Sequence, residues 1–211
     1  MKIGIIGSGV VGQSLGLGLI NQGYEVKIGT RDTSKLNEWL SKVNDKGSVG
    51  SFAEAAEFGE ALFIATLWTG TENAISLAGK ENFEGKIVVD VTNPLDFSDG
   101  TPKLATVYPI SACEQIQKWL PEAKLVKAFN TIPAHIMTNP KQLGDADLFI
   151  AGNGKAKDFV KHIAKNWGWT DIIDMGDIKS AYWVEMLAML VINYGFKYND
   201  WNFATKLLRK K

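Results

Sequence analysis

Residues 1–12 read Met1-Lys2-Ile3-Gly4-Ile5-Ile6-Gly7-Ser8-Gly9-Val10-Val11-Gly12. An apolar run leads into a G-x-G-x-x-G motif, and an apolar stretch of helical character, residues 15–20, follows it. This order of strand, tight turn and helix is the context in which the motif binds dinucleotides. Gly7 permits the turn, Gly9 lets a pyrophosphate approach the backbone, and Gly12 lets the helix pack on the strand. Because free N–H groups at a helix start hold anions, the sequence predicts a dinucleotide-binding site.

The composition is that of a globular protein without a dominant charge. The chain has 211 residues, 45% of them hydrophobic, and 23 Lys plus Arg balance 23 Asp plus Glu. This length and hydrophobic content suffice to bury a full core. A zero net charge supplies no basic field of the kind that attracts nucleic acid or an anionic membrane. We therefore expect a small-molecule partner, and neither nucleic acid nor a membrane.

Cysteine usage and apolar run lengths indicate the compartment. Cys113 is the single cysteine, which excludes an internal disulfide and a cysteine-based metal site, and we expect no metal. The longest apolar candidate, residues 186–192, is far shorter than the roughly 18 residues that a membrane span needs. The glycine motif interrupts the apolar start and no cleavage site follows, which indicates a buried strand instead of a signal peptide. We expect a cytoplasmic protein.

Apolar runs of strand length alternate with helical patterns along the chain. The predicted strands after the first are residues 26–29, 61–65, 87–91, 125–129, 148–151 and about 171–173. Thr33 or Ser34 is predicted to cap a helix to about Val43, Ser51 and Glu54 have the S-x-x-E form of a capping box, and another helix is predicted over about residues 155–166. Apolar strands separated by helices imply a parallel sheet covered on both faces. The predicted fold class is α/β, a doubly wound Rossmann-type sheet.

The last part of the chain has a helical and aromatic pattern. This pattern begins at Ile178, and a second helical piece is predicted from about Trp201 to Leu208. No repeat, low-complexity segment or linker divides the chain. We expect a Rossmann domain over residues 1–176 with a short C-terminal helical appendage, residues 177–211, packed on it, the two forming one compact unit. The aromatic side chains of this tail could pack on their own sheet or on a second subunit.

The residues that follow the second predicted strand distinguish between the two nicotinamide dinucleotides. NAD sites carry a carboxylate there, about 20 residues past the glycines, which holds the ribose hydroxyls. This chain has Thr30 and Arg31 at that place, and their donors suit a phosphate that a carboxylate would repel. Ser34 and Lys35 lie one turn further on. NADP is therefore favoured over NAD, and the competing candidate, Asp32, is expected to cap the following helix.

Few side chains in the sequence could serve as an acid or base. No tyrosine has a lysine four positions later, the pair that short-chain dehydrogenases use, and only two histidines exist. His162 lies in a helical segment and is expected at the surface. His135 lies near the mouth end of a strand, where ligands bind in such sheets, but the sequence slightly favours a place in a short helix after Pro133 without a functional role.

This shortage favours a reaction that requires little proton chemistry from the protein. Hydride transfer between nicotinamide and a flavin-type ring needs two flat rings held face to face at the right distance. The aromatic and Met side chains of the tail could form one wall of such a slot. At helical spacing, however, most of them are also what core packing against the sheet produces.

Several segments carry a resemblance to a known family. Besides residues 5–12 they are Gly29-Thr30-Arg31, Val89-Asp90-Val91-Thr92-Asn93-Pro94-Leu95, Lys127-Ala128-Phe129-Asn130-Thr131-Ile132-Pro133-Ala134 and Val184-Glu185-Met186-Leu187-Ala188. With them the chain resembles the NADPH-dependent reductases of the deazaflavin coenzyme F420, and more widely the dinucleotide-binding family that includes the cytosolic domain of membrane metalloreductases. The resemblance extends over nearly the whole chain, and the Thr-Ile-Pro-Ala element is a more specific marker of it than the glycine loop.

The resemblance implies a role for each of these segments. The pyrophosphate would be lined by Ser8, Val10 and Val11, and the 2′-phosphate would be held by Thr30, Arg31 and Lys35. Thr66 and Leu67 would lie near the ribose and nicotinamide. The ring slot would be bordered by Thr92, Asn93, Asn130, Thr131, Ile132 and Pro133. A deazaflavin-reducing member has histidine where this chain has Asn130, a difference that concerns the second substrate; a homodimer is also implied.

Three functional hypotheses follow from the sequence. The first is an NADPH-dependent oxidoreductase that passes a hydride to a flavin-like acceptor, such as coenzyme F420 or a flavin. The second is a reductase of a small carbonyl or imine compound, with His135 or Asn130 polarising the acceptor. The third is an NADPH-binding sensor without turnover.

Overall fold

The computed structural model describes residues 1–43, 45–98, 100–105 and 109–210. The strands in this part of the chain are β1 (Lys2–Ile6), β2 (Glu25–Gly29), β3 (Gly47–Gly50), β4 (Ala61–Ile64), β5 (Ile87–Asp90), β6 (Leu95–Asp96), β7 (Lys103–Leu104), β8 (Lys124–Lys127), β9 (Asp147–Gly152) and β10 (Asp171–Asp174). The α-helices are α1 (Val10–Asn21), α2 (Asn37–Leu40), α3 (Phe52–Phe58), α4 (Trp68–Ala78), α5 (Ala112–Trp119), α6 (Ala134–Met137), α7 (Gly154–Trp167) and α8 (Ala181–Tyr198). Short 3₁₀ turns occupy Thr33–Leu36, Lys80–Phe83, Pro140–Leu143 and Ile178–Ser180.

Eight of these strands form one sheet in the order β10-β9-β8-β5-β4-β1-β2-β3, and β6 pairs only with β7. The neighbouring pairs from β8 to β3 are all parallel. Strand β9 is antiparallel to β8, and β10 is parallel to β9. The predicted α/β Rossmann-type fold is confirmed, but the prediction of a wholly parallel sheet is wrong for the last two strands.

The reversal at β9 accompanies a connection that contains no full helix. Between β8 and β9 the chain forms only the one-turn helix α6 and the turn Pro140–Leu143. A parallel return requires a crossover, usually a full helix, whereas an antiparallel return does not. The 14-residue helix α7 supplies such a crossover between β9 and β10, and these two strands are parallel.

The sheet is buried on both faces, which explains its continuous apolar strands. Ile5 and Ile6 are both fully buried but belong to opposite layers of the core. This alternation is the period-two pattern of a strand covered on both sides. Helices α1 and α7 contribute to the layer of Ile5, and α3, α4, α5 and α8 contribute to the layer of Ile6.

The helix caps agree with the prediction at the start of α3 and differ from it after β2. Ser51 and Glu54 form the predicted capping box at the start of α3. After β2, however, neither Thr33 nor Ser34 caps a long helix. The carboxylate of Asp32 is the cap, because it accepts from the backbone N–H of Ser34, and a 3₁₀ turn and the four-residue α2 replace the helix that was predicted to reach Val43.

Helix α8 confirms the helical tail, but the second predicted helix, from Trp201 to Leu208, is wrong. Asn199 ends α8 in a left-handed conformation, and residues 201–210 have no regular secondary structure. Asp147 binds this segment instead: its N–H donates to the carbonyl of Thr205, and its carboxylate accepts from the N–H of Leu207. The eight-residue helix predicted here would be only marginally stable on its own. The hydrogen bonds to Asp147 in β9 therefore decide the conformation of this segment.

The tail also presents apolar surface. Trp183, Leu190 and Tyr194 on α8 are 57%, 69% and 45% exposed, respectively. The division at residue 176 and the homodimer remain predictions. In the described part of the chain, no helix combines the length and apolar character needed to span a membrane.

Candidate functional site

A cleft of about 910 Å³ lies at the carboxyl ends of β1, β2, β4 and β5. Twelve of the sequence-predicted residues line it: Gly7, Ser8, Gly9, Val10, Val11, Thr30, Arg31, Lys35, Thr66, Leu67, Thr92 and Asn93. In open parallel sheets ligands bind at this edge, because the loops after the strands converge there. The fold therefore brings together residues that are separated by more than eighty positions in sequence.

The glycine loop at the floor of the cleft has two tight positions and one open position. Gly7 has φ +130°, and a Cβ there would collide with the carbonyl of Ala65. A Cβ on Gly12 would collide with the carbonyl of Gly7, whereas a Cβ on Gly9 would have no described atom within 4 Å. Gly9 thus leaves space for a ligand at the start of α1, where the first backbone N–H groups have no carbonyl one turn earlier. This space and these donors fit a pyrophosphate.

Thr30 links the glycine loop to the end of β2. Its hydroxyl lies 2.9 Å from the hydroxyl of Ser8 and is nearly buried. The exposed side chains of Arg31 and Lys35 line the cleft beside it, and the guanidinium of Arg31 forms no ion pair with any described residue. Two exposed cations beside the loop fit a phosphate, and the carboxylate of Asp32 lies near Lys35 in the same cleft.

Asp32 and Ser34 have a different role from these cations. The carboxylate Oδ1 of Asp32 accepts from the backbone N–H of Ser34 at 3.1 Å and from its hydroxyl at 2.6 Å. These hydrogen bonds lower the pKa of Asp32. The prediction that Asp32 caps the following segment is confirmed. Ser34, which the sequence assigned to the cofactor, does not line the cleft, because its side chain is turned to Asp32.

The opposite end of the cleft is bordered by hydroxyl and amide side chains. Thr66 lies 2.8 Å from Thr71, hydroxyl to hydroxyl, at the start of α4. Thr92 is buried, and both its N–H and its hydroxyl donate to the carboxylate of Asp90, at 2.8 and 2.7 Å. The side chain of Thr92 is therefore fixed by the strand behind it.

A second pocket of about 270 Å³ adjoins the cleft, and Val11 and Asn93 line both. The remaining sequence-predicted residues of the ring slot line it: Asn130, Thr131, Ile132, Pro133 and His135. Helix α8 and the tail form the other wall with Val191, Ile192 and Trp201. Among the described residues that line this pocket none is Lys, Arg, Asp or Glu, so its wall is uncharged apart from a titratable His135.

A pair of asparagines forms the boundary between the cleft and this pocket. The side-chain nitrogen of Asn93 donates to the main-chain carbonyl of Asn130 at 2.8 Å. The side-chain nitrogen of Asn130 donates in turn to the side-chain oxygen Oδ1 of Asn93 at 3.1 Å. The same nitrogen of Asn130 approaches the carbonyl of Val184 in α8 at 3.4 Å. Oδ1 of Asn130 and Oγ1 of Thr131 are buried without a hydrogen-bond partner among the described residues. Unpaired buried polar atoms are rare and typical of functional sites.

The backbone before Asn130 is in an unusual conformation. Phe129 has φ +64°, in the left-handed region that non-glycine residues rarely adopt. Its ring is fully buried and packs edge-on against Trp167 at 5.4 Å between centroids. This packing holds the conformation, which turns the chain sharply where β8 reaches the pocket. Strain of this kind is concentrated at functional sites.

His135 is exposed in the one-turn helix α6, directly after Pro133. Its Nε2 lies 3.0 Å from the side-chain oxygen of Asn202 in the tail. It therefore connects the two walls of the second pocket at its rim. His162 is exposed on α7, as predicted.

Sequence reasoning missed a buried charge cluster behind the site. The ammonium of Lys127 lies 2.6 Å from Oδ2 of Asp90 and 3.0 Å from Oε1 of Glu185, and all three side chains are at most 1% exposed. Lys127 also donates to the carbonyl of Thr92 at 2.8 Å. The N–H groups of Ala112 and Cys113, at the start of α5, donate to Glu185. The cluster thus joins β5, β8, α5 and α8 to the wall of the cleft.

The charge states within the cluster follow from burial and pairing. Burial opposes the charge of Lys127, but Asp90 and Glu185 outweigh it and raise the pKa of the ammonium. Burial raises the pKa of Glu185, which Lys127 partly offsets. Burial also raises the pKa of Cys113, so its thiol stays neutral. In sequence, Asp90, Lys127 and Glu185 are only single charges within apolar runs, and nothing local indicates that they meet.

Several aromatic and polar residues that line the cleft were also missed. They are Phe52, Trp68, Thr69, Gly70, Asn73, Leu95, Phe97 and Ser98. Trp68 begins α4 and stacks on Trp119 with 5.6 Å between ring centroids. Its position directly after β4 was an available signal, since loops after parallel strands form the site. Phe97 and Ser98 follow the two-residue strand β6, for which the sequence contains no periodicity.

This geometry defines the class of the protein: a Rossmann-type dinucleotide-binding fold with a glycine-loop cleft and an adjoining uncharged pocket. Residues 2–94 match the family model described as NADP oxidoreductase, coenzyme F420-dependent. The F420-dependent NADP reductase of Methanothermobacter marburgensis is 30% identical over an alignment of 212 positions that covers 93% of each chain. The chain therefore belongs to the coenzyme F420-dependent NADP oxidoreductase family and is an NADP-dependent oxidoreductase.

Other relatives extend the comparison. A candidate F420-dependent NADP reductase from Arthrobacter sp. FB24, known from a crystal structure, superposes with a TM-score of 0.93 at 39% identity over 99% of this chain and 100% of that one. Metalloreductase STEAP3 of Rattus norvegicus is 31% identical over 195 residues, 90% of this chain but only 37% of that protein. An imine reductase of Aspergillus terreus, at 16% identity and a TM-score of 0.67 over 94% of this chain and 63% of that one, shares the fold alone.

The glycine loop allows a test that separates ligand binding from folding. Gly9→Ala should weaken NADPH binding by roughly tenfold or more, because the added methyl occupies the space for the pyrophosphate. It should lower stability by less than about 1 kcal/mol, since the φ of −70° at Gly9 suits alanine. Gly12→Ala should instead destabilise the fold by about 1–3 kcal/mol through the collision with Gly7. Calorimetric titration and urea unfolding measure the two effects.

Gly154→Ala is the matched control, because a Cβ there would also have no described atom within 4 Å, at the start of α7. Gly154→Ala should leave the NADPH affinity unchanged and should not lower the free energy of unfolding. Unaltered NADPH affinity in Gly9→Ala would contradict the pyrophosphate assignment.

The buried cluster allows a test of stability. Lys127→Met should lower the free energy of unfolding by about 3–5 kcal/mol, because two buried carboxylates lose their counter-charge. Adding Glu185→Gln to this variant should recover part of the loss by removing one of those charges. Lys42→Met, which breaks only the exposed ion pair with Glu38, should cost less than about 1 kcal/mol. Urea unfolding compares the variants, and equal losses for Lys127→Met and Lys42→Met would contradict the argument.

Proposed function

We propose that the protein transfers a hydride between NADP(H) and a flat, flavin-like acceptor, such as the deazaflavin coenzyme F420. The observation that carries the proposal is the junction of two pockets: the glycine-loop cleft and the small uncharged pocket, with Val11 and Asn93 in the walls of both. Two ligands that must exchange a hydride require adjoining sites of this kind. The names of relatives that act on F420 and NADP agree with it.

The residues of the cleft support a cofactor with a 2′-phosphate. The backbone at Gly9 and the start of α1 would hold the pyrophosphate, and the exposed cations of Arg31 and Lys35 would hold the 2′-phosphate. Thr30 would orient these two parts of the site, since its hydroxyl contacts Ser8. A nicotinamide bound at the other end supplies the chemistry, a hydride with its electron pair.

The second pocket supports positioning of the acceptor without acid–base catalysis. Asn93 and Asn130 fix each other through two hydrogen bonds, which makes a rigid polar edge beside apolar side chains such as Val191. Its single titratable group, His135, is at the exposed rim and bonded to Asn202. Hydride transfer delivers two electrons and one hydrogen to the acceptor ring, and the proton that completes its reduction can come from solvent at the pocket rim, so the protein's task is to align the two rings.

The carbonyl-reductase hypothesis, in which Asn130 or His135 polarises the acceptor, has less support. The amide nitrogen of Asn130 already donates to Asn93 and approaches the carbonyl of Val184, and His135 is held by Asn202. A donor engaged elsewhere is unsuited to a carbonyl oxygen. The NADPH-binding sensor remains a prediction without a specific supporting contact.

Cofactor preference tests the assignment of Arg31. Arg31→Ala should weaken NADPH binding about tenfold or more and leave NADH binding nearly unchanged, because a charge-assisted bond to phosphate contributes roughly 1.5–3 kcal/mol. Arg209→Ala, which removes an exposed arginine of the tail, should affect neither. Fluorescence titration of the reduced nicotinamide measures both affinities. Equal losses for NADPH and NADH would show that Arg31 does not contact the 2′-phosphate.

The acceptor is tested by the nicotinamide absorbance of NADPH mixed with purified protein. We expect loss of this absorbance on addition of oxidised coenzyme F420, FMN or FAD, with the best acceptor identifying the second ring. His135→Ala should retain the activity, because no acid–base role is assigned to that side chain. Tight NADPH binding without oxidation by any of the three acceptors would overturn the proposal and favour the sensor.

A further inference from the structure

The buried cluster of Asp90, Lys127 and Glu185 carries an unbalanced charge. Its three side chains are at most 1% exposed and comprise two carboxylates and one ammonium, so the formal charge of the fully ionised cluster is −1. Burial raises the pKa of Glu185, and the ammonium of Lys127 and the N–H group of Ala112 oppose this rise by stabilising the charged form. The neighbouring thiol of Cys113 is neutral, because burial raises its pKa. With both carboxylates ionised, the protein interior encloses a net negative charge.

This charge lies directly behind the wall of the cleft. The carboxylate Oδ1 of Asp90 accepts from the N–H and hydroxyl of Thr92 at 2.8 and 2.7 Å, and the ammonium of Lys127 reaches the carbonyl of Thr92 at 2.8 Å. Thr92 lines the cleft beside Asn93. One residue therefore separates the cluster from the end of the cleft where the two pockets join.

Burial separates this charge from bulk solvent, and the described wall of the second pocket does not compensate it. Charges enclosed in a protein act over longer distances than exposed ones, because neither solvent nor salt screens them effectively. The described residues that line the second pocket include no Lys, Arg, Asp or Glu. The cations Arg31 and Lys35 line the cleft at β2, beyond β1 and β4 from β5 in the sheet. Among the described residues, this cluster supplies the charged groups that contact Thr92.

We propose that this cluster makes the site discriminate between the two oxidation states of the nicotinamide, binding the cationic oxidised form in preference to the neutral reduced form. The inference rests on the proposed function, in which the ring lies at the Thr92–Asn93 end of the cleft. NADP⁺ and NADPH share the phosphates that Arg31 and Lys35 contact, so those contacts do not distinguish them. A charge near the ring does distinguish them, because a negative charge favours the cation.

The consequence is a bias in the direction of the reaction. A site that binds the oxidised form more tightly favours departure of the hydride, with its electron pair, from the bound cofactor to the acceptor. Asp90 and Glu185 would then influence the reaction without contacting either ring. They act through Thr92 and the electrostatic field, and not as acids or bases.

The test is the ratio of the dissociation constants of NADPH and NADP⁺, measured by calorimetric titration at pH 8 without an acceptor. Glu185→Gln removes one negative charge with little change of shape and should lower this ratio about fivefold, chiefly by weakening NADP⁺ binding. Lys127→Met removes the positive charge and should raise the ratio. A distorted cleft would weaken both ligands together and leave the ratio unaltered.

Glu122→Gln is the matched control, because the same chemical change is made at an exposed residue, and its ratio should equal that of the unmodified protein. If Lys127→Met does not fold, Asp90→Asn supplies a second removal of negative charge with the same expected direction as Glu185→Gln. Ratios unchanged in Glu185→Gln and Asp90→Asn would overturn the inference. Because no acceptor is present, that result would leave the proposal of hydride transfer to a flavin-like ring untouched. A failed acceptor assay would in turn leave the measured ratio of dissociation constants valid.

Discussion

The ion pairs of Lys127 with Asp90 and Glu185 are the interaction on which the arrangement of the site depends. A buried ammonium is tolerated only when carboxylates and carbonyls surround it, so β5, β8 and α8 must meet at one point. Glu185 also accepts a hydrogen bond from the start of α5, and Lys127 donates one to the carbonyl of Thr92. The C-terminal helix α8 thereby contributes to the structure that supports the cleft.

A second constraint acts at the glycine loop, where the backbone of α1 approaches β1 more closely than any side chain permits. The tight positions at Gly7 and Gly12 set the distance between helix and strand, while Gly9 keeps the space above them free. The two constraints act at opposite ends of the same cleft. The glycines shape the end that suits phosphate, and the buried cluster shapes the end where a ring would lie.

Much of the fold and of the phosphate end could be predicted, because both depend on local sequence. Apolar runs, the capping box at Ser51 and the spacing of the glycines each act within a few residues. The errors occurred where distant contacts decided the outcome. The tail over residues 201–208 follows Asp147 of β9 and not its own helical pattern, and β9 is antiparallel because its connection lacks a crossover helix. The cofactor role of Ser34 stays a prediction, and its hydroxyl donates to Asp32, two residues earlier in the chain.

The sequence by itself determined the class of fold, the dinucleotide loop and the position of Arg31, since a tight turn and a strand's end are properties of neighbouring residues. Only the tertiary structure decided that Asn93 and Asn130 pair between two pockets, that Phe129 adopts a left-handed conformation, and that Asp90, Lys127 and Glu185 form one cluster. The physical reason is that an isolated charge or amide in an apolar run has no visible partner in sequence. Its partner is selected by the cost of burying it unpaired, which arises only when the chain has folded.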